Sequence, residues 1–234
     1  MILDGAREID RAVRGGVRLI EVFYAPELLA DPSQQTLELA AFASAEIVPV
    51  SAAVLEKLAF GDRREGIVAV AQTPRALLEE IQLPDRPLVA VLEGVEKPGN
   101  VGAVLRSADA AGLSALVVAD PQTDLYNPNA IRASLGTIFT LPVAAATGPQ
   151  TLAWLRRHNL AIFAARVDGS IVYTQADFSR PAAIVLGSEA QGLSDVWRGD
   201  DIQAVRLPML GAADSLNVSA TAAVLFYEAL RQRG

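Results

Sequence analysis

The chain has 234 residues, 51% hydrophobic and 20% charged, which supports one large domain or two smaller ones and excludes a disordered chain. It contains no cysteine, which removes disulfides, thiolate nucleophiles and cysteine-ligated zinc together. The net charge of -7 argues against indiscriminate nucleic-acid binding; 9 basic and 14 acidic residues precede Pro87, with 11 and 13 from there on, so a nucleic-acid substrate needs a local patch.

In chain order, Arg7 to Val13 reads as part of a helix that starts almost at Met1, so the N-terminal unit is expected to lack part of its beginning. The opening MILDGAREIDRAV lacks the basic-then-apolar order of a signal peptide, and no apolar run reaches ~18 residues, so a cytoplasmic protein without a membrane span is expected. Val17 to Val22 alternates like a strand, Thr36 to Ala43 has helical spacing, and Ile47 to Val50 is a short strand. Ser51 is placed to cap a helix over Ala52 to Ala59, and Gly66 to Ala71 closes a small α/β unit over residues 1–72 as a buried strand. Residues 73–87, with three prolines, read as a linker.

From Leu88 to the end, apolar runs at Leu88–Leu92, Ala115–Val118, Ala161–Ala165 and Ala182–Leu186 alternate with helical patterns at 100–111, 127–135 and 149–158. Continuous apolar strands between helices predict a parallel sheet covered on both faces. The single histidine, His158, falls at the polar end of one of these helices and reads as a surface residue; any Ser-His-Asp or multi-histidine site would have to use it.

Three segments of this second unit carry candidate chemistry. In the first, Leu92 to Asp109, a buried strand runs through a Pro-Gly turn into a helix with Asn100 as its expected N-cap. Val101, Val104, Leu105 and Ala108 face the core, which puts Gly102, Arg106 and Asp109 on the opposite face, with Gly102 leaving room beside the arginine. An Arg106–Asp109 surface pair is the plain alternative. In the second, Ile184 to Ser194, a strand, a glycine-rich turn and an expected helix suggest a ligand loop at a sheet edge. Leu193 stands where a phosphate-binding loop needs lysine, and Glu189 would repel a diphosphate, so a ligand with hydroxyl or ammonium groups fits better. In the third, Leu207 to Thr221, a proline-led loop enters a helix that is apolar on nearly every side from Leu216 to Phe226, and such a helix is buried on several faces.

Together, N-x-G-x-x-x-R at Asn100, Gly102 and Arg106, L-G-S-E-x-x-G at Leu186 to Gly192, and L-P-M-x-G with S-L-N-V-S at Leu207 to Ser219 resemble the SpoU (TrmH) family of S-adenosylmethionine-dependent RNA ribose methyltransferases, within the SPOUT superfamily. The resemblance spans 88–234, and 1–72 is similar to the α/β sandwich substrate-binding domain often fused in front. It implies a parallel-sheet domain with a deep trefoil knot, an exception to the usual absence of knots. It also implies a homodimer and a methyl donor, S-adenosylmethionine, held by Leu186, Gly187, Leu207, Met209 and Leu216.

By the same resemblance Arg106 acts at the reacting ribose, as a base if strongly perturbed or otherwise by orienting the 2′-hydroxyl or holding its phosphate. Asn100 and Glu189 position Arg106 or the ribose, and Ser215 and Asn217 order the knot loop near the cofactor. That chemistry needs no metal. The stretch Asp124 to Gly136 is similar to the N-P-x-x-I-R-x-S-x-G segment of rRNA-directed members, which favours rRNA over tRNA as partner, with Arg132 as an RNA-contacting residue or a helix-surface arginine. A tRNA methyltransferase, a non-catalytic RNA-binding or assembly protein on the same fold, and a small-molecule methyltransferase remain the alternatives.

Overall fold

A computed structural model describes residues 1–60 and 65–234, which form two sheets. The first is built from β1 (Ile2–Asp4), β2 (Leu19–Tyr24), β3 (Glu46–Pro49) and β4 (Ile67–Ala71), with α1 (Ala6–Arg14), α2 (Asp31–Phe42) and α3 (Ala52–Leu58) between them. Its order is β1-β4-β2-β3, with β2 and β3 parallel and the other pairs antiparallel. The first helix therefore starts after a three-residue strand, not almost at Met1. Ser51 sits at the N-cap of α3 without a side-chain capping bond, and Glu27 Oε1 accepts the Ala52 N–H at 2.8 Å in its place.

The second sheet comprises β5 (Leu88–Glu93), β6 (Ala115–Ala119), β7 (Val143–Ala146), β8 (Ala161–Ala165), β9 (Ile171–Val172), β10 (Ala182–Leu186) and β11 (Ile202–Arg206). The order is β7-β6-β5-β10-β8-β11-β9, parallel at every pairing, as the apolar runs predict. The helices are α4 (Pro98–Ala110), α5 (Pro128–Ala133), α6 (Gly148–Arg157) and α7 (Val218–Arg233).

Strand alternation divides the interior into two cores. Leu88, Ala90 and Leu92 of β5 point to one, where α4 and α7 supply Val104, Leu105, Leu225 and Phe226. Val89 and Val91 point to the other, where Leu152, Trp154 and Leu155 of α6 meet Trp197. The first core continues without a break into Leu3, Ile9 and Val22 of the N-terminal sheet. Residues 73–87 join the sheets, and their Leu78 and Ile81 are buried in the second core.

Several local readings are corrected. Proline suits the first helical position because its φ is already helical, so α4 begins at Pro98, and Asn100 lies in the first turn rather than capping it. Gly102 is buried, not on an open face: a Cβ there would lie 2.4 Å from the Ala130 carbonyl oxygen and 2.6 Å from the Ala133 Cβ, so the glycine lets α4 close onto α5. No helix follows the second motif; a single 3-10 turn at Asp195–Trp197 takes its place.

Helix α7 buries Val218, Ala222, Leu225, Phe226 and Ala229, but Val224, Tyr227 and Leu230 remain 36%, 51% and 41% exposed, so one apolar face is left open. Its last turn is pinned by Arg233, which donates to the carbonyl oxygens of Phe178, Arg86, Pro87 and Arg180 at 2.6–3.0 Å. His158 ends α6 with its ring on Trp154 at 4.8 Å, in keeping with a surface role. Among the described residues, no helix is long and apolar enough to cross a membrane.

Candidate functional site

Parallel strands leave their carboxyl ends free to hold ligand loops, and the three motifs meet at the carboxyl ends of β5 and β10. They join at one carboxylate. Glu189, in the loop after β10, accepts hydrogen bonds from the Asn100 side-chain amide at 3.2 Å and from the Asn217 amide. The Lys97 ammonium, at the start of α4, lies 3.1 Å from its other oxygen. Asn217 in turn caps α7, its side-chain oxygen accepting the Ser219 N–H at 2.9 Å. The Lys97 ammonium above all holds the Glu189 carboxyl below its usual range, against the loss of hydration, with the Asn100 amide and the Val218 backbone adding less. Residues 89 and 28 positions apart from Glu189 thus converge on it.

The loop itself is built from glycine contacts. A Cβ on Gly187 would sit 2.2 Å from the Gly192 carbonyl carbon and 2.5 Å from the Leu193 nitrogen, and Gly192 has a φ of +67°. The glycine at 187 is therefore required by the loop's own backbone, which bridges Ser188 to Gly192, rather than by the approach of a ligand. Glu93, buried at the end of β5, anchors the far side of the loop by accepting the Ser194 N–H at 2.8 Å and its hydroxyl at 2.7 Å.

Below the loop lies a cleft of about 460 Å³, within the ~300–1,000 Å³ usual for small-molecule sites. Leu186, Gly187, Leu207, Met209 and Leu216, the five residues expected at the cofactor, all line it, with Ser215 and Glu189 beside them. Ser215 is exposed, its hydroxyl 3.5 Å from the Asp214 carboxylate. Apolar walls suit an adenine, while Glu189, Asp168 and Asp214 suit the sulfonium and ammonium charges of S-adenosylmethionine, so the residues present fit that group. One wall was not foreseen: Arg166 holds Asp168 through two 2.8 Å bonds, which depress the Asp168 carboxyl, and Arg198 stands nearby. Lys97 and Glu93 were likewise missed, although an acid closing an apolar strand at Glu93 was a usable signal.

Arg106 is exposed on α4, and no partner for it is found among the described residues. Asp109 instead accepts the Thr140 hydroxyl at 3.1 Å, so the Arg106–Asp109 pair does not form. Arg132 lies away from the cleft on α5, donating to the Phe60 carbonyl oxygen with its guanidinium 5.9 Å from the Phe60 ring centre.

A parallel α/β sheet with three motif loops gathered over one cleft defines the class, and comparison with known proteins gives the family. The chain belongs to the SpoU rRNA Methylase family, whose profile matches residues 87–227, and the profile described as thiostrepton-resistance methylase, N terminus, matches residues 1–83. It is 33% identical over 238 residues to the 23S rRNA (guanosine-2'-O-)-methyltransferase RlmB of Bordetella pertussis, covering 99% of this chain and 97% of that one. A solved RNA 2'-O ribose methyltransferase is 43% identical, with a TM-score of 0.86 and coverage of 100% of this chain and 88% of that one. The SpoU methyltransferase AviRb from Streptomyces viridochromogenes, in complex with AdoMet, is 28% identical with a TM-score of 0.88, covering 100% of this chain and 90% of that one.

Proposed function

We propose that this protein transfers a methyl group from S-adenosylmethionine to a ribose 2′-hydroxyl of 23S rRNA, in the cytoplasm and as a homodimer. The observation that carries the reading is the convergence of Lys97, Asn100 and Asn217 on the Glu189 carboxylate, beside a cleft lined by Leu186, Gly187, Leu207, Met209 and Leu216. Relatives named for 23S rRNA that match nearly the whole chain support rRNA over tRNA.

When bound, the sulfonium supplies an electrophilic methyl carbon, so no metal is needed for activation. The protein's part is then largely positioning. A guanidinium is a poor general base and a strong fork of donors, so Arg106, free of any carboxylate among the described residues, orients the 2′-oxygen and stabilises the charge it develops. Glu189, fixed by Lys97 and Asn100, places the ribose relative to α4, and Asn217 and Ser215 order the loop over the cleft. Residues 1–72 serve as the RNA substrate-binding domain and 88–234 as the methyltransferase domain, with Arg132 contacting RNA. The segment from Leu207 to Asn217 returns from β11 past the cleft before α7 packs on α4, in keeping with the family's trefoil knot.

The test is ribose-methylation mapping of total RNA with and without the gene, followed by single-turnover methylation of the 23S rRNA transcript. One 2′-O-methyl mark in 23S rRNA should disappear with the gene and reappear in vitro with S-adenosylmethionine. A mark lost from tRNA alone, or no mark lost, sinks this reading.

A further inference from the structure

Resting on the RNA reading above, we propose that Phe60 and Arg132, at the seam between the two sheets, form an RNA contact on which an unpaired base stacks. In a chain of net charge -7, a cation that stands without a carboxylate is the better place to meet a phosphate backbone. Arg132 is such a cation: among the described residues it has no acidic partner, and only one of its five N–H donors is committed there, to the Phe60 carbonyl. Its guanidinium lies against the Phe60 ring, which is itself 38% exposed and so open in part to a base.

The platform is held from both sides. The Phe60 backbone N–H donates to Asp4 Oδ2 at 2.8 Å, tying the chain at Phe60 to the end of β1. Arg132 comes from α5, which packs tightly on α4 at Gly102 through Ala130 and Ala133, two positions before the arginine and one after it. Arg106 lies one helical turn, ~6 Å, further along the same side of α4. The seam and Arg106 are thus carried by two helices, α5 and α4, that pack on each other. An aromatic face beside an arginine plane is the arrangement that binds single-stranded RNA with little dependence on sequence.

The experiment measures affinity of the full chain for a 23S rRNA transcript, with S-adenosylmethionine affinity and thermal midpoint as parallel readouts. Phe60→Leu should weaken RNA binding about tenfold, as loss of one base stack does. Phe60→Trp should preserve it, and Arg132→Gln should weaken it and lower the salt slope by about one. Affinity for S-adenosylmethionine should not change in any of the three. Ultraviolet crosslinking of the wild-type complex should mark the peptide bearing Phe60, a result that stands even if a variant folds poorly.

RNA affinity unchanged in Phe60→Leu and Arg132→Gln, or crosslinks confined to other peptides, overturns the proposal and leaves the pair as a staple between the sheets. If the wild type binds no RNA at all, the RNA reading falls and takes this contact with it. If the wild type methylates RNA while the variants bind normally, only the contact falls.

Discussion

Truncating Arg106 separates a residue of the mechanism from a residue of the surface. Because the cleft is lined by the second and third motifs and Arg106 sits on α4 outside it, Arg106→Ala should leave S-adenosylmethionine affinity nearly unchanged. Methyl transfer should fall by a factor on the order of 10²–10³, the cost of removing a donor aimed at developing charge. Arg106→Lys should restore little, since a point charge cannot reproduce a planar fork. Single-turnover rates and calorimetry check both halves, and near wild-type turnover in the alanine variant would remove Arg106 from the mechanism. Glu189 gives a pH test. Its carboxyl is depressed in the folded protein, chiefly by Lys97, so its contribution is complete above the unfolded value of ~4.3 and is lost only as pH falls through the lower folded value. Lys97→Met should move the acid limb of the binding profile for S-adenosylmethionine upward in pH, and Lys97→Arg should move it back. An acid limb that stays put in Lys97→Met would mean that Lys97 does not hold the carboxylate.

At the scale of elements, the close contact of α4 and α5 is the most exposed to a small change. A methyl group at 102 would meet the Ala130 carbonyl at 2.4 Å and the Ser134 nitrogen at 2.8 Å, both of them backbone atoms with little room to give. Gly102→Ala should therefore cost about 1–3 kcal/mol as overpacking, read as a lowered thermal midpoint, and an unchanged midpoint would show that the helices separate freely. The periodicity that placed Val101, Val104, Leu105 and Ala108 in the core was sound, but it could not show a second helix on the other side of α4. Strands such as Ala161–Ala165 and Ala182–Leu186 were legible because they are short apolar runs between helices. β7 was not, because Val-Ala-Ala-Ala carries weak strand preference, nor was β11, whose Gln203 and Arg206 interrupt the apolar run. The site divides the same way. The motif residues were readable along the chain, whereas the meeting of Lys97, Asn100, Glu189 and Asn217, and the pairing of Phe60 with Arg132, exist only after distant segments fold together.

At the scale of the whole molecule, the proposed dimer can be tested on the open face of α7. Val224, Tyr227 and Leu230 recur at helical spacing and stay partly exposed, while the opposite residues, Ala222, Leu225, Phe226 and Ala229, are fully buried. A contiguous apolar face on a soluble chain marks an interface or an aggregation hazard. A second copy is the natural cover, because a two-fold pairing lets one patch meet itself, and a stable dimer buries roughly 1,000 Å² or more of surface. Tyr227→Glu places a charge in the middle of that face without touching the core. Light scattering should give a dimer for the wild type and a monomer for the variant at micromolar concentration. The consequence reaches the site, since the same helix begins at Asn217, whose amide bonds Glu189. Methyl transfer should therefore fall in the monomeric variant more than its thermal midpoint explains. A wild type that is monomeric at micromolar concentration, or a monomeric variant with full activity, would uncouple assembly from catalysis and leave the apolar face of α7 without a role in this reaction.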